Sequence, residues 1–463
     1  MALDSLARED VSGPAPAGGS GGVPPWPTPA RAWRTLWILS LVLGLSQIDR
    51  NILSLLLDPI RTDLKLNDLQ MGALIGLAFA VLYLPLNFPM SLVSDRKSRK
   101  TIIAIGVTVW SLSTAACGLA RGYWSMFWAR AGLGAGDCVN GPATYSLLGD
   151  SFPREKLPRA MGILNLGFMA GTALSLILGA GVIAAVIKAH VVLPVLGLVK
   201  GWHLVFFAIG LPGLLVGALT LTIREPARRG VRGEGAKGWR SFFEVFGFLF
   251  RNRRFYGCMF VSVLINGIIL YGSQSFRTAF FGRSYHWSPQ LYGAVFGLAQ
   301  LAASLLGLAA GVWLCERWNK RHNEGNMRVA LLAYALAIPF NAGFTLMPNG
   351  WLAVACGAIG AGLALMAAPP VVAALQSITP SNVRAQVNSL YLLMFSGVTG
   401  ILGPIVIGWL TDLQHDKAKL GLVIAVVSAI GLPIALVVQV FALKPFGRMI
   451  EQIKAEEARA AQG

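Results

Sequence analysis

Charge is scarce in this chain. Of 463 residues only 13% are Asp, Glu, Lys or Arg, about half the share of an ordinary soluble domain, whereas 55% are hydrophobic and the mean hydropathy is +0.62. A water-soluble fold of this length could not hide so much apolar surface, which excludes an ordinary soluble enzyme. Cysteine is also sparse. Cys117, Cys138, Cys258, Cys315 and Cys356 fall within or at the ends of apolar runs without metal-ligand spacing, and they read as small helix-packing residues. The five histidines, His190, His203, His286, His322 and His415, are scattered. Neither a metal site nor a catalytic cluster emerges, and no cofactor is expected. Basic residues outnumber acidic ones 39 to 21, for a net charge of +18. They sit in short runs between apolar segments rather than on one soluble face, which argues against a nucleic-acid partner. Residues 1–30 are rich in Pro, Gly, Ala and Ser but lack the basic and apolar regions of a cleavable signal peptide, and they read as a disordered tail.

What the chain does contain is apolar runs long enough for a bilayer, where a helix of about 20 residues spans and satisfies its own backbone. Runs at 34–57, 69–94, 100–120, 123–148, 157–187 and 200–223 predict six helices. Runs at 253–281, 288–316, 326–347, 350–376, 381–412 and 418–443 predict six more. The fold class expected is therefore an all-α membrane protein with twelve transmembrane helices in two pseudo-symmetric six-helix bundles. The division is a 1–30 tail, a bundle over 31–223, a basic linker over 224–252, a second bundle over 253–443 and a tail over 444–463. Lys and Arg concentrate in the N-tail, the even-numbered loops and the C-tail, so both termini are expected in the cytoplasm and the chain in the cell (inner) membrane. The halves echo each other. Asp95-Arg96-Lys97-Ser98-Arg99-Lys100 and Glu316-Arg317-Trp318-Asn319-Lys320-Arg321 both read acid, base, two variable residues, base, base.

Ser91-x-x-x-Asp95-Arg96-Lys97-Ser98-Arg99-Lys100 resembles the Gly-x-x-x-Asp-Arg-x-Gly-Arg-Arg/Lys signature of the major facilitator superfamily, with serines in place of both glycines. Arg130-Ala-Gly132-Leu-Gly134-Ala-Gly136-Asp137 resembles that superfamily's Arg-x-x-x-Gly-x-Gly motif. Within it, Ile48-Asp49-Arg50-Asn51-Ile52-Leu53 and the Asp95 loop are similar to the Spinster-like group, which usually has Glu at the position of Asp137. The resemblance implies alternating access, lysophospholipid-like substrates and a role for Asp95 in bracing the eleventh helix. The gating residues so implied are Asp95, Arg96, Arg99, Glu316 and Arg317.

Asp49 and Arg50 lie about fifteen residues into the first predicted helix, where each charge costs several kcal/mol unless it is paired or faces water. A structural ion pair is the plainer reading, but intramembrane charges more often mark pathways. Arg130, Gly134, Asp137, Gly141 and Thr144 recur at helical spacing and share one small, polar face. The glycines on it fit close packing as well as ligand contact. From the rise per residue, Asp49 and Arg130 lie roughly 12 and 10 Å from the same helix ends, and Asp137 about 10 Å further in. The expectation is an Asp49–Arg130 pair and a more isolated Asp137, with Asp49 and Asp137 carrying protons and Arg50 and Arg130 binding substrate. In the second half Asn266, Tyr271, Gln274, Gln300, Asn388 and Tyr391 are neutral candidates for the opposite wall, each equally suited to an interhelical hydrogen bond.

The function expected is proton-coupled secondary transport of an amphipathic or anionic small molecule. The partners are that molecule, protons and membrane lipids, and the chain is expected to be a monomer. An organic-anion/proton symporter and a multidrug exporter of the same superfamily are the nearest alternatives. A membrane-embedded lipid-modifying enzyme would need a nucleophile–base pair or a metal cluster, and the sequence offers neither.

Overall fold

The computed structural model describes residues 26–153, 156–186, 191–193, 197–227, 238–322, 324–414 and 419–460. Helix α1 (Pro29–Leu55) opens on a proline, whose fixed φ suits a first turn, and is followed by the short α2 (Leu57–Asp63). Helices α3 (Asp68–Ile75) and α4 (Leu77–Arg96) form one pass interrupted at Gly76; α5 (Arg99–Cys117) returns. Helices α6 (Tyr123–Asp137) and α7 (Asn140–Ser151) form a second interrupted pass, and α8 (Leu157–Val186) and α9 (Gly201–Leu221) complete the first half. Between α8 and α9 lies a small antiparallel ribbon, β1 (Val191–Leu193) with β2 (Gly197–Val199), the one departure from an all-helical chain among the described residues.

The second half begins with α10 (Gly238–Arg251), inside the expected linker, followed by α11 (Arg253–Tyr285), α12 (Pro289–Asn319), α13 (Gly325–Gly343) and α14 (Gly350–Ile378). Its penultimate pass is α15 (Ser381–Leu392), a π-helical segment Leu393–Val398 and α16 (Thr399–Leu413); the last is α17 (Leu420–Ala460). Ten helical spans among the described residues are long and apolar enough to cross a membrane. The α6–α7 pair and α8 complete twelve. The first carries Arg130 and Asp137 and breaks after Asp137, and in α8 the strongly apolar stretch is Gly171–Val186.

The expected boundary at 443 does not interrupt α17, because the helix continues past Pro445 and buries Phe446 and Ile450 against Phe255 and Tyr256. Helix α10 joins the same cluster through Val245 and packs on α11 and α15. Most of the expected N-terminal tail (1–25) and part of the linker (228–237) lie outside the described residues.

Large apolar side chains face outward. Leu215 is 74% exposed, Leu306 72% and Phe441 68%, whereas Asp49, Arg130 and Asp137 are at most 4% exposed. Apolar residues outside and charge inside is the distribution a lipid solvent selects. The halves meet along α8–α12, α3–α16 and α1–α11. A Cβ on Gly72 would come within 2.3 Å of the Pro404 carbonyl oxygen, and one on Gly408 within 2.4 Å of that of Asp68, so glycine alone permits α3 and α16 to lie this close. These contacts gather at one end of the molecule, here the Asp68 end; the other is the Arg99 end.

Candidate functional site

The break between α6 and α7 places Asp137 on the last turn of one helix and Asn140 on the first turn of the next. The freed carbonyl of Cys138 is met by Asn87 Nδ2 at 3.3 Å. The Asp137 carboxylate accepts from Ser46 Oγ (2.9 Å) and Asn140 Nδ2 (3.0 Å) on one oxygen. On the other it accepts from Arg50 Nε (3.1 Å) and pairs directly with Arg50 Nη2. The Arg50 guanidinium lies over Phe79 (4.6 Å to the ring centre) and Tyr83 (5.5 Å), and its side chain stays 36% exposed. This is a cation held from two sides with a third left open.

Asp49, one residue away, is placed differently. Consecutive helical side chains diverge by about 100°, and Asp49 turns into the first half, toward Thr114 and Trp110 of α5 and toward Arg130. Both carboxylate oxygens are buried without a hydrogen-bond partner, and so are Thr114 Oγ1, Trp110 Nε1 and Arg130 Nε. Arg130 Nη1 donates to the Asp49 backbone carbonyl at 3.2 Å rather than to its carboxylate. Asp137 is thus the acid in a direct ion pair, with Arg50, whereas Asp49 faces Arg130, Thr114 and Trp110 without one. The depth estimate ordered these residues along their helices but could not assign their faces.

Of the neutral candidates, Gln274 and Gln300 line a crevice between the halves. Tyr271 meets Phe395 of the π-helical segment edge-on, with ring centres 6.0 Å apart. Asn266 instead donates to the Ser262 carbonyl in its own helix (2.9 Å), and Tyr391 stacks on Phe395 within the second half's core. Asn388 is half-buried on α15 and does not line the crevice.

The gating candidates do not come together as one set. Arg99 is 1% exposed, and its bonds run to α7 and to the start of the linker just after α9. It pairs with Asp150 of α7, donates to the Ser146 carbonyl (3.1 Å) and Pro226 carbonyl (3.3 Å), and holds Glu225 through its backbone N–H (2.8 Å) and Nε (3.2 Å). Ser98 Oγ also donates to Glu225. Burial works against the charged form of Glu225, but the bonds from Ser98 and Arg99 hold its carboxyl below the usual value. Glu316 and Arg317 line a surface hollow with Trp313, Lys320 and Arg321. The side chains of Asp95 and Arg96 lie outside the described residues.

Sequence reasoning missed a charged bridge between the halves at the Asp68 end. Arg283 of α11 reaches Asp58 of α2 (Nη2 to Oδ1, 2.7 Å) and grips Asp68 of α3 with two bonds of 2.9 Å. Arg61 lies 3.2 Å from Asp58 and 3.6 Å from Asp68. From α16, Asp412 accepts from the first backbone N–H groups of α3, Asp68 (3.1 Å) and Leu69 (2.8 Å), a charge-assisted helix cap supplied by the opposite half. Asp58, Arg61, Asp68 and Arg283 lie where a hydropathy reading sees only loop charges, so the available signal was their opposite sign across two loops, with Asp412 at the very end of a predicted run. The buried Arg277 of α11 was missed as well.

The sequence model of the Major Facilitator Superfamily matches residues 39–404. An MFS-type efflux pump of Mycolicibacterium smegmatis (strain ATCC 700084 / mc(2)155) is 25% identical over 393 residues, 84% of this chain and 86% of that protein. A probable L-galactonate transporter of Escherichia coli (strain K12) is 26% identical over 48% of each chain. Among solved structures, a bacterial homologue of the human lysosomal transporter Spinster, in an inward-facing and unoccupied conformation, superposes with a TM-score of 0.74 at 24% identity. The likeness covers 92% of this chain and 98% of that one.

Proposed function

As the chain belongs to the Major Facilitator Superfamily and is a multi-pass membrane transporter, we propose that it moves a small organic anion by alternating access, with protons coupled through Asp49. The observation that carries this reading is the buried Asp49 carboxylate, unpartnered beside an Arg50–Asp137 pair that is open on one side. Protonating Asp49 breaks no direct ion pair, whereas protonating Asp137 would weaken its charge-assisted pair with Arg50. With both acids ionised, Asp49, Arg50, Arg130 and Asp137 sum to zero, a state the low-dielectric core tolerates. A proton on Asp49 leaves the site net positive and favours an anion at Arg50, and by linkage the anion favours the proton.

The positive-inside rule supports a cytoplasmic Arg99 end and cytoplasmic termini in the cell membrane. On that orientation the Asp58–Asp68–Arg283 bridge closes the outside and the chain faces inward. The carboxylate in the name of the L-galactonate relative supports an organic acid, and the resemblance of the Asp49–Arg50 segment to the Spinster-like group supports a lysolipid-like anion as the second candidate.

The test is uptake into proteoliposomes under an imposed proton gradient, with L-galactonate and oleoyl lysophosphatidylglycerol as candidate solutes. Wild-type protein should accumulate one of them uphill. Asp49→Asn should abolish accumulation while preserving exchange down a concentration gradient. An Asp49→Asn protein that accumulates solute as well as wild type would remove Asp49 from the coupling step.

A further inference from the structure

Arg277 is a buried cation without an acid. It is 4% exposed, and no carboxylate lies within ion-pairing distance among the described residues. Its Nε is buried without a hydrogen bond, and its guanidinium lies 4.8 Å from the ring centre of Phe296 and 5.3 Å from that of Phe344. The Tyr292 hydroxyl, which hydrogen-bonds the guanidinium, and the aromatic faces offset only part of the cost of holding it away from water. The four charges of the first half cancel among themselves, so Arg277 leaves the transmembrane core with one unbalanced positive charge.

That charge borders the crevice between the halves. Gln274 and Gln300 share the wall with it, and neither amide is bonded to another protein group among the described residues; Asn51, the neighbour of Arg50, lines the facing side. The crevice measures about 10 Å³, room for a single water, because α8 and α12 are pressed together beside it: a Cβ on Gly293 would come within 2.4 Å of the Leu176 carbonyl oxygen. Separation of the halves at the Asp68 end is the motion that widens it.

We infer that Arg277, with Gln274 and Gln300, is an oxyanion subsite of the second half. It receives the carboxylate or phosphate of the substrate as a single negative charge while the crevice is open toward the Asp68 end, before the anion reaches Arg50. A guanidinium presents a planar pair of donors that matches either oxyanion, and the two amides supply neutral donors to the same group. The net charge of one selects a monoanion over a neutral analogue. The inference rests on the transport reading above and adds to it the charge of the substrate and the residue that meets it first.

The experiment measures equilibrium binding of L-galactonate and of oleoyl lysophosphatidylglycerol, both monoanions, to the full chain in nanodiscs, with monoolein as the uncharged control. Arg277→Gln should weaken the bound anion at least tenfold and leave the control unchanged, Arg277→Lys should restore part of the loss, and the preferred probe separates a free organic acid from a lipid phosphate. If Arg277→Gln fails to fold, Gln300→Leu is read in its place and should weaken the anion severalfold. Wild-type proteoliposomes that accumulate neither anion overturn the transport reading and the subsite together. Wild-type accumulation with undiminished binding in the folded variant overturns the subsite alone.

Discussion

At the scale of single residues, the site turns on the adjacency of Asp49 and Arg50. Both were legible as buried charges in an apolar run, and so were Arg130 and Asp137. Their partners were not, because pairing depends on how far α1 is rotated about its axis and on the break after Asp137, and neither leaves a mark in an apolar pattern. Arg277 escaped notice for a related reason: it sits near the end of a predicted span, where an arginine ordinarily belongs to a loop. Asp137→Asn should destabilise the protein by about 2–3 kcal/mol. That is less than the roughly 3–5 kcal/mol of a fully buried pair, because Arg50 keeps access to solvent. A thermal-unfolding midpoint matching wild type would mean that Ser46, Asn140 and the aromatic pair hold Arg50 unaided.

Glu225 gives a residue-level prediction in pH. Its carboxyl is held below the ordinary value of 4.5, so its contribution to stability is complete above pH 4.5 and is lost as pH falls through the lower, folded-state value. Midpoints measured across that window should drop less steeply in Glu225→Gln than in wild type. Parallel slopes would show that Ser98 and Arg99 hold Glu225 without favouring its charge.

At the scale of elements, hydropathy located the passes but not their interruptions. The break in α3–α4 and the π-helical segment before α16 lie inside runs that stay largely apolar across them, and the α6–α7 break falls at Asp137 and Asn140 inside a run read as one span. Helix α10 was read as linker because its apolar residues serve one face only. The reach of α17 to Ala460 follows from Phe446 and Ile450, whose partners come from α11 and could not be seen from their own segment. The bridge from Arg283 to α2 and α3 must break if the halves are to part at that end. Charge-assisted hydrogen bonds are worth roughly 1.5–3 kcal/mol each, so Arg283→Gln should raise the population open at the Asp68 end at least tenfold. A cysteine placed by Thr278→Cys in a background lacking the native cysteines would report this through faster alkylation from that side. Arg283→Lys should give an intermediate rate, since an ammonium cannot grip two carboxylates as a fork does. Equal alkylation rates in all three proteins would reduce the bridge to a surface ornament.

At the scale of the whole molecule, composition and charge placement were sufficient to announce a bilayer and two related halves, because both depend on summed free energies rather than on any one contact. Which end is closed was not legible, since one sequence must support both closures. A monoanion travelling with one proton carries no net charge through the cycle. Net flux should therefore be insensitive to a potassium diffusion potential set with valinomycin, yet scale with the proton gradient. Acceleration by an inward-negative potential would require more than one proton per anion.

The way the chain passes between its halves sets a geometric bound. Glu225 and Pro226 are fastened to the first half by Arg99, and α10, from Gly238, is docked on α11 and α15 of the second. Gly238 lies twelve residues beyond Pro226 along the chain, and fully extended that stretch reaches about 40 Å. However the bundles swing, Pro226 and Gly238 cannot part by more than that length, and each residue deleted between them lowers the limit by about 3.5 Å. That limit is set by chain length alone, independently of any chemistry in the binding site.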